Sequence, residues 1–277
     1  MKFVFFGYDF SLPVLERLLE DEHELLALFT FECDNVFNFN REIIKKAQDL
    51  GVPFTLARPA GSEIEYYTDQ GAQLFLACGY PYKIPPIDET RAYGVNTHPS
   101  LLPKGRGLMP TPYILMHHPE AAGFSIHKIT ADFDAGDILY QEAIELSGRE
   151  SVDSYSAKIA RRTPEAISRV IAHLPDYWDK ANPQDPQEAS HFPPPDETMR
   201  TFDWTKTVEE IDKVGRAFGS FGSLAPVEGA LLAVFDYKIE QTDHGQSPGA
   251  VIERSSDSIS IAAENGVVTL TRFMQIK

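Results

Sequence analysis

From residue 2 to residue 78 the chain alternates short apolar runs with longer segments whose apolar residues recur every three or four positions. That alternation is the strongest constraint on its fold. A short, wholly apolar run fits a strand buried on both faces, and the three-to-four repeat fits a helix with one buried side. Residues 2–6 (KFVFF) predict a first strand ended by Gly7. Ser11 offers a helix cap, Pro13 suits a first turn, and Leu12, Leu15, Leu18 and Leu19 follow at helical spacing. Residues 25–31 predict a second strand, 41–50 a helix stopped at Gly51, 53–57 a short strand, 62–70 a helix, and 73–78 another strand. Strands and helices in alternation over short loops argue for an α/β fold, a parallel sheet covered on both faces.

Residues 93–98 predict a strand running into the loop SLLPKGRGLMP, with a helix at about 111–117. Residues 122–130 and 137–146 predict a strand pair around a tight acidic turn. Residues 151–174 carry one helical apolar face, from Val152, Tyr155 and Ile159 to Ile167, Val170, Ile171 and Leu174, and Pro164 is expected to kink or split it. Six prolines and no periodicity over 175–195 predict a linker, bounded by Trp178 and Trp204, which are expected to dock it. Beyond it lie a helix at 208–218 and strands at 230–240, 250–254, 258–262 and 267–272. The expected organisation is an α/β domain over 1–175, a Pro-rich linker over 176–200 and a small helix-plus-β subdomain over 201–277.

Charge narrows the partners. Lys and Arg total 25 against 41 Asp and Glu, for a net charge of −16. Residues 176–277 alone carry 9 basic and 17 acidic groups. A surface that grips nucleic acid is usually basic, so small polar molecules are the expected partners and nucleic acid is not. Cys33 and Cys78, far apart, make neither a disulfide framework nor a CxxC pair and read as reduced thiols of a cytoplasmic protein. No signal peptide or membrane span is expected. A single glycine after the first strand is not GxGxxG, KGRG at 104–107 is not a Walker sequence, and FGSFGS at 218–223 is not a nucleophile elbow but reads as a flexible loop.

The chemistry concentrates between residues 94 and 139. Asn96 and His98 lie two apart in an extended segment, so they present an amide and an imidazole on one side, at the carboxyl edge where open α/β sheets bind ligands. The turn DFDAGD carries Asp134, which can return toward that edge. An amide, an imidazole and a carboxylate together suit an oxyanion growing on a carbonyl. His127, in a strand of alternating pattern, reads as structural. No metal site is expected at His117 and His118, which end a helix without nearby ligands.

The ordered series Asn96-Thr97-His98, Ser100-Leu101-Leu102-Pro103, Arg106-Gly107 and Asp134-Ala135-Gly136-Asp137-Ile138 resembles the formyltransferases that use 10-formyltetrahydrofolate. The likeness extends over residues 74–86 (LFLACGYPYKIPP), over the helix in 201–218 and over the C-terminal strands, as in the methionyl-tRNA and amino-sugar branches. It implies a Rossmann-like catalytic domain with a small C-terminal subdomain. It also implies that Asn96 and His98 stabilise the oxyanion while Asp134 holds His98 and assists proton removal, directly or through water. By the same resemblance the folate lies against Tyr80, Pro81 and Tyr82, against Ser100, Leu101, Leu102 and Pro103, and against Thr130, Ala131, Asp132 and Phe133, with no metal. Arg106 suits a substrate phosphate or carboxylate, or the bracing of its own loop. The family leaves the acceptor open. The acidic C-terminal part and the loop KGRGLMPTPY favour a small amine, foremost a nucleotide-linked amino sugar, over methionyl-tRNA. Hydroxyornithine of siderophore synthesis is a further small-amine alternative, and the apolar strands of the subdomain suit a homodimer.

Overall fold

A computed structural model describes residues 1–34 and 38–276. The chain forms two compact units, one of residues 1–110, 120–145 and 157–193, the other of 111–119, 146–156 and 194–277.

The first unit holds a seven-stranded sheet. Its first part is the predicted alternation: β1 (Lys2–Gly7), α1 (Leu12–Glu20), β2 (Glu24–Phe29), α2 (Arg41–Asp49), β3 (Phe54–Thr55), α3 (Gly61–Asp69), β4 (Leu74–Cys78) and β5 (Tyr93–His98). After β5 the sheet is completed by β6 (Gly123–Lys128) and β7 (Ile138–Ala143), while the intervening α4 (Pro110–Met116) belongs from residue 111 to the second unit. The sheet order is β3-β2-β1-β4-β5-β6-β7. The strands from β3 to β5 are parallel, whereas β6 and β7 each run antiparallel to the strand before them. β1 and β4 sit mid-sheet and bury almost every residue, which is why they read as unbroken apolar runs. One sheet face packs Val4, Phe6, Phe29, Phe31 and Phe75 with Tyr80, and Phe6 stacks on Phe29 at 4.9 Å.

Expectations about residues 152–179 need adjusting. Pro164 does not split the helix: α5 (Val152–Ala172) continues through it, and the break falls at His173, before α6 (Leu174–Asp179). A proline inside a helix costs about 3 kcal/mol. Burying Ile159, Ile167, Val170 and Ile171 outweighs that, at roughly 1.5–3 kcal/mol each. The stretch from 175 onward also opens in α6 rather than in irregular chain. Trp178 then packs against Tyr93 at 4.9 Å and beneath the Lys128 ammonium.

The second unit contains α7 (Val208–Phe218) and a five-stranded antiparallel sheet of β8 (Ser223–Val227), β9 (Ala230–Gln241), β10 (Val251–Arg254), β11 (Ile259–Ala263) and β12 (Gly266–Gln275), ordered β10-β11-β12-β9-β8. Thr207 caps α7 by accepting from the Glu210 amide, and the Glu210 side chain returns the bond. Phe202, Trp204, Val208, Ile211, Val234, Ile261 and Leu270 form its core. The FGSFGS stretch, expected to be a flexible loop, is a single helical turn at Gly219–Phe221 followed directly by β8.

Candidate active site

β5 carries the site. Asn96 and His98, two residues apart, both turn toward Asp134. The Asn96 amide nitrogen is 3.5 Å and His98 Nδ1 3.4 Å from Asp134 Oδ1. The other Asp134 oxygen accepts the Gly107 amide at 2.9 Å. His98 Nε2 donates to the Gly105 carbonyl at 2.7 Å. A carbonyl only accepts, so Nε2 bears a proton and Nδ1 is the nitrogen turned to the carboxylate.

The acidic turn reaches β5 because β6 ends on the far side of it. Lys128 pairs with Val95, and the chain then folds back so that Asp134 meets Asn96 and His98. Lys128 also takes the Asp137 carbonyl, closing the turn at its base. Gly136 has a physical reason: a Cβ there would collide with the Lys128 carbonyl. Gly107 has another, since its φ is +118° and a Cβ would strike the Phe192 carbonyl. Asp134 itself stands at φ +54°, a left-handed conformation that aspartate tolerates better than most residues.

Burial pushes the His98 pKa down from 6.5, against the pull of Asp134. Burial would raise the Asp134 pKa, but the neighbouring imidazoles and the Gly107 amide hold it at about 2. The resting pair is therefore a neutral imidazole beside an ionised carboxylate. Its Nδ1 lone pair can take a proton, and the imidazolium so formed is paired at once. Asn96 adds an N–H donor that never titrates. Together they can remove a proton from a nucleophile and hold charge on a carbonyl oxygen.

Ser100 lies against this site, its hydroxyl reaching the Lys104 and Gly105 carbonyls. Leu102 is buried, its amide donating to Ser125 Oγ, while Leu101 donates to the Ala121 carbonyl and Pro103 follows a cis peptide bond. Tyr80, Pro81 and Tyr82 follow β4, the parallel neighbour of β5. The Tyr80 and Tyr82 rings meet edge to face, Phe31 abuts both, and Arg58 lies over Tyr82 at 4.2 Å. Thr130 ties the acidic turn to the Asp132 carbonyl, while Ala131, Asp132 and Phe133 are exposed. Arg106 donates twice to Gln184, at 3.1 and 2.8 Å.

Three contributors are not assigned to the site by the sequence: nothing there marks Gln184 or Ser190, and His127 reads as structural. Gln184 joins Arg106 to the acidic turn, because its amide nitrogen donates to the Asp134 and Gly136 carbonyls. Ser190 accepts the Gly105 amide and passes its own carbonyl to Arg106. Both lie where proline density suggested a bare linker, and no spacing signal pointed to them. His127 stands 3.0 Å from the Asn96 amide nitrogen and 3.6 Å from Asp134. Only its pairing across from Asn96 could have revealed it. Among the described residues no cluster of three His, Cys, Asp or Glu could hold a metal.

Residues 62–171 match the family described as formyl transferase, and residues 196–276 match the formyl transferase C-terminal domain. The chain is similar to a methionyl-tRNA formyltransferase of Ruegeria pomeroyi, 26% identical over 99% of this chain and 92% of that one. Among solved structures it is similar to HypX from Aquifex aeolicus in complex with tetrahydrofolic acid (TM-score 0.75, 18% identity), where it spans all of this chain but 44% of that one. It is also similar to an N-formyltransferase from Helicobacter canadensis in complex with folinic acid and dTDP-3-aminofucose (TM-score 0.67, 13% identity, 99% of both chains).

Proposed function

The chain belongs to the formyl transferase family, and from that premise we propose that it formylates the primary amine of a nucleotide-linked amino sugar, using 10-formyltetrahydrofolate as donor. The observation that carries formyl transfer is the convergence of the half-buried Asn96 with the buried His98 and Asp134. Folate fits the residues at the adjoining strand end. The Tyr80 hydroxyl is buried with no hydrogen-bond partner among the described residues, within a cluster of aromatic rings suited to a flat heterocycle. When bound there, the folate presents a formyl carbon attached to nitrogen.

The residues divide the work by chemistry. His98 Nδ1 takes the proton that the attacking amine must lose, and Asp134 pairs the resulting imidazolium. Asn96 donates an N–H to the oxygen that gains charge as the new C–N bond forms. His98 then returns its proton to the departing nitrogen. No net proton is consumed.

Charge supports a small acceptor. The C-terminal part is strongly acidic, and in the second unit Arg216 and Arg254 are already paired, with Asp212 and Glu228. A tRNA acceptor needs many cations for its phosphates, a sugar nucleotide only a few. The Helicobacter canadensis structure, which aligns over nearly the whole of both chains, was solved with an amino-sugar nucleotide. Methionyl-tRNA is the second reading, favoured by the Ruegeria pomeroyi relative. The test is tetrahydrofolate release with a panel of nucleotide-linked amino sugars, charged initiator methionyl-tRNA and hydroxyornithine, with His98→Ala as control. Turnover on an amino sugar that vanishes in the variant is expected; turnover on tRNA alone overturns the amino-sugar reading.

A further inference from the structure

Asn96 is the least constrained member of the site by its own chemistry. An amide can present either its N–H or its carbonyl, and only the N–H serves a growing oxyanion. What decides is on β6. In the antiparallel pair of β5 and β6, His127 stands directly opposite Asn96, just as Ser125 stands opposite His98. Residues directly opposite in such a pair share a face. His127 is only 2% exposed, so water does not compete for its nitrogens. Its Nδ1 lies 2.8 Å from the Lys128 backbone carbonyl, which can only accept, so Nδ1 carries a proton. Its Nε2 lies 3.0 Å from the Asn96 amide nitrogen, which can only donate, so Nε2 carries a lone pair.

We propose that His127, held as the neutral Nδ1–H tautomer, is a positioning residue that fixes the Asn96 amide with its N–H groups toward the reacting centre. One N–H is tied to His127 Nε2. The second, now only 3.5 Å from Asp134 Oδ1 and weakly held, is left for the oxyanion. A flipped amide would set its carbonyl oxygen against the His127 lone pair and the Asp134 carboxylate, three acceptors without a proton among them. An imidazolium at His127 would do equal damage, because Nε2–H would then face the amide N–H. The reasoning deepens the formyl-transfer reading and does not depend on which amine is the acceptor.

The experiment has two arms. In the first, the imidazole nitrogens of the whole protein are observed by NMR at neutral pH, with His127→Gln assigning the signal. A neutral ring protonated at Nδ1 is expected; an imidazolium or an Nε2–H tautomer overturns the proposal. In the second, formyl transfer is compared for His127→Leu, which has no acceptor, and His127→Gln, whose amide oxygen can accept. His127→Leu should lose roughly ten- to hundred-fold in kcat with KM nearly unchanged, as for a misplaced buried hydrogen-bond donor. His127→Gln should recover most of that loss. The double variant Asn96→Ala/His127→Leu should be no slower than Asn96→Ala, since His127 acts only through Asn96. Wild-type kcat in His127→Leu, or additive losses in the double variant, would sink the proposal. If the wild-type protein turns over no acceptor at all, the function reading fails instead, and the tautomer arm still decides the role of His127.

Discussion

Asp134 keeps its charge in surroundings that by burial alone would remove it, and that has consequences for pH. Its folded pKa of about 2 lies below the unfolded value of 3.8, so the stability it contributes is complete above pH 4 and is lost between about pH 4 and pH 2. The amount is roughly 2 kcal/mol. His98 acts in a higher window with the same sign. Its folded pKa is lowered from 6.5, so the unfolded chain takes up a proton that the folded one refuses, and stability falls as pH drops below about 6.5. His23 and His117, also lowered by burial, add to that fall. Urea unfolding at pH 7.5 and pH 5 should show the loss, with a shallower slope in His98→Asn; an unchanged slope refutes the assignment. In catalysis, Asn96→Ala should lower kcat about 10²–10³-fold, as for one oxyanion donor. His98→Asn should lower it at least as much, and single-turnover formyl transfer would measure both.

At the scale of elements, the acidic turn is made by what surrounds it. Gly136→Ala forces a methyl into the Lys128 carbonyl and should shift Asp134 away from β5. We expect at least a tenfold loss in kcat with a modest fall in Tm. Gln184→Leu removes two bonds to turn carbonyls and strands the Arg106 guanidinium. It should cost about 2–3 kcal/mol and also lower kcat, which thermal melts and steady-state rates would separate. The strands and helices of the first half were legible because each buries an entire face, so periodicity wrote them plainly. The N-x-H pair and the turn aspartate were legible because their order along the chain is distinctive. Gln184, Ser190 and His127 were not. They act through backbone carbonyls and a cross-strand partner, and neither leaves a spacing pattern. β8 was missed because it contains Pro226, which a strand tolerates only at a sheet edge, where β8 lies. Pro164 does not split α5, since helix burial outweighs its penalty.

For the molecule as a whole, acidity makes a claim about salt. A tRNA acceptor gripped through several phosphates would lose about 10³-fold or more in affinity between 50 and 200 mM salt. The acceptor of this chain should change less than roughly tenfold in KM over that range, and a steeper dependence would argue for a polyanion. The division of the chain has a consequence for exchanging parts between relatives. The backbone passes from one compact unit to the other five times, not once. Met116 clusters with Ala217 and Phe218, Arg216 holds the Glu150 carbonyl, and Asp153 receives Ser220. Residues 194–277 are therefore not a removable cassette. A chimera spliced at residue 194 would graft a foreign tail onto native 111–119 and 146–156, whose partners would be gone. The second unit of this chain should then be exchangeable only as three matched segments.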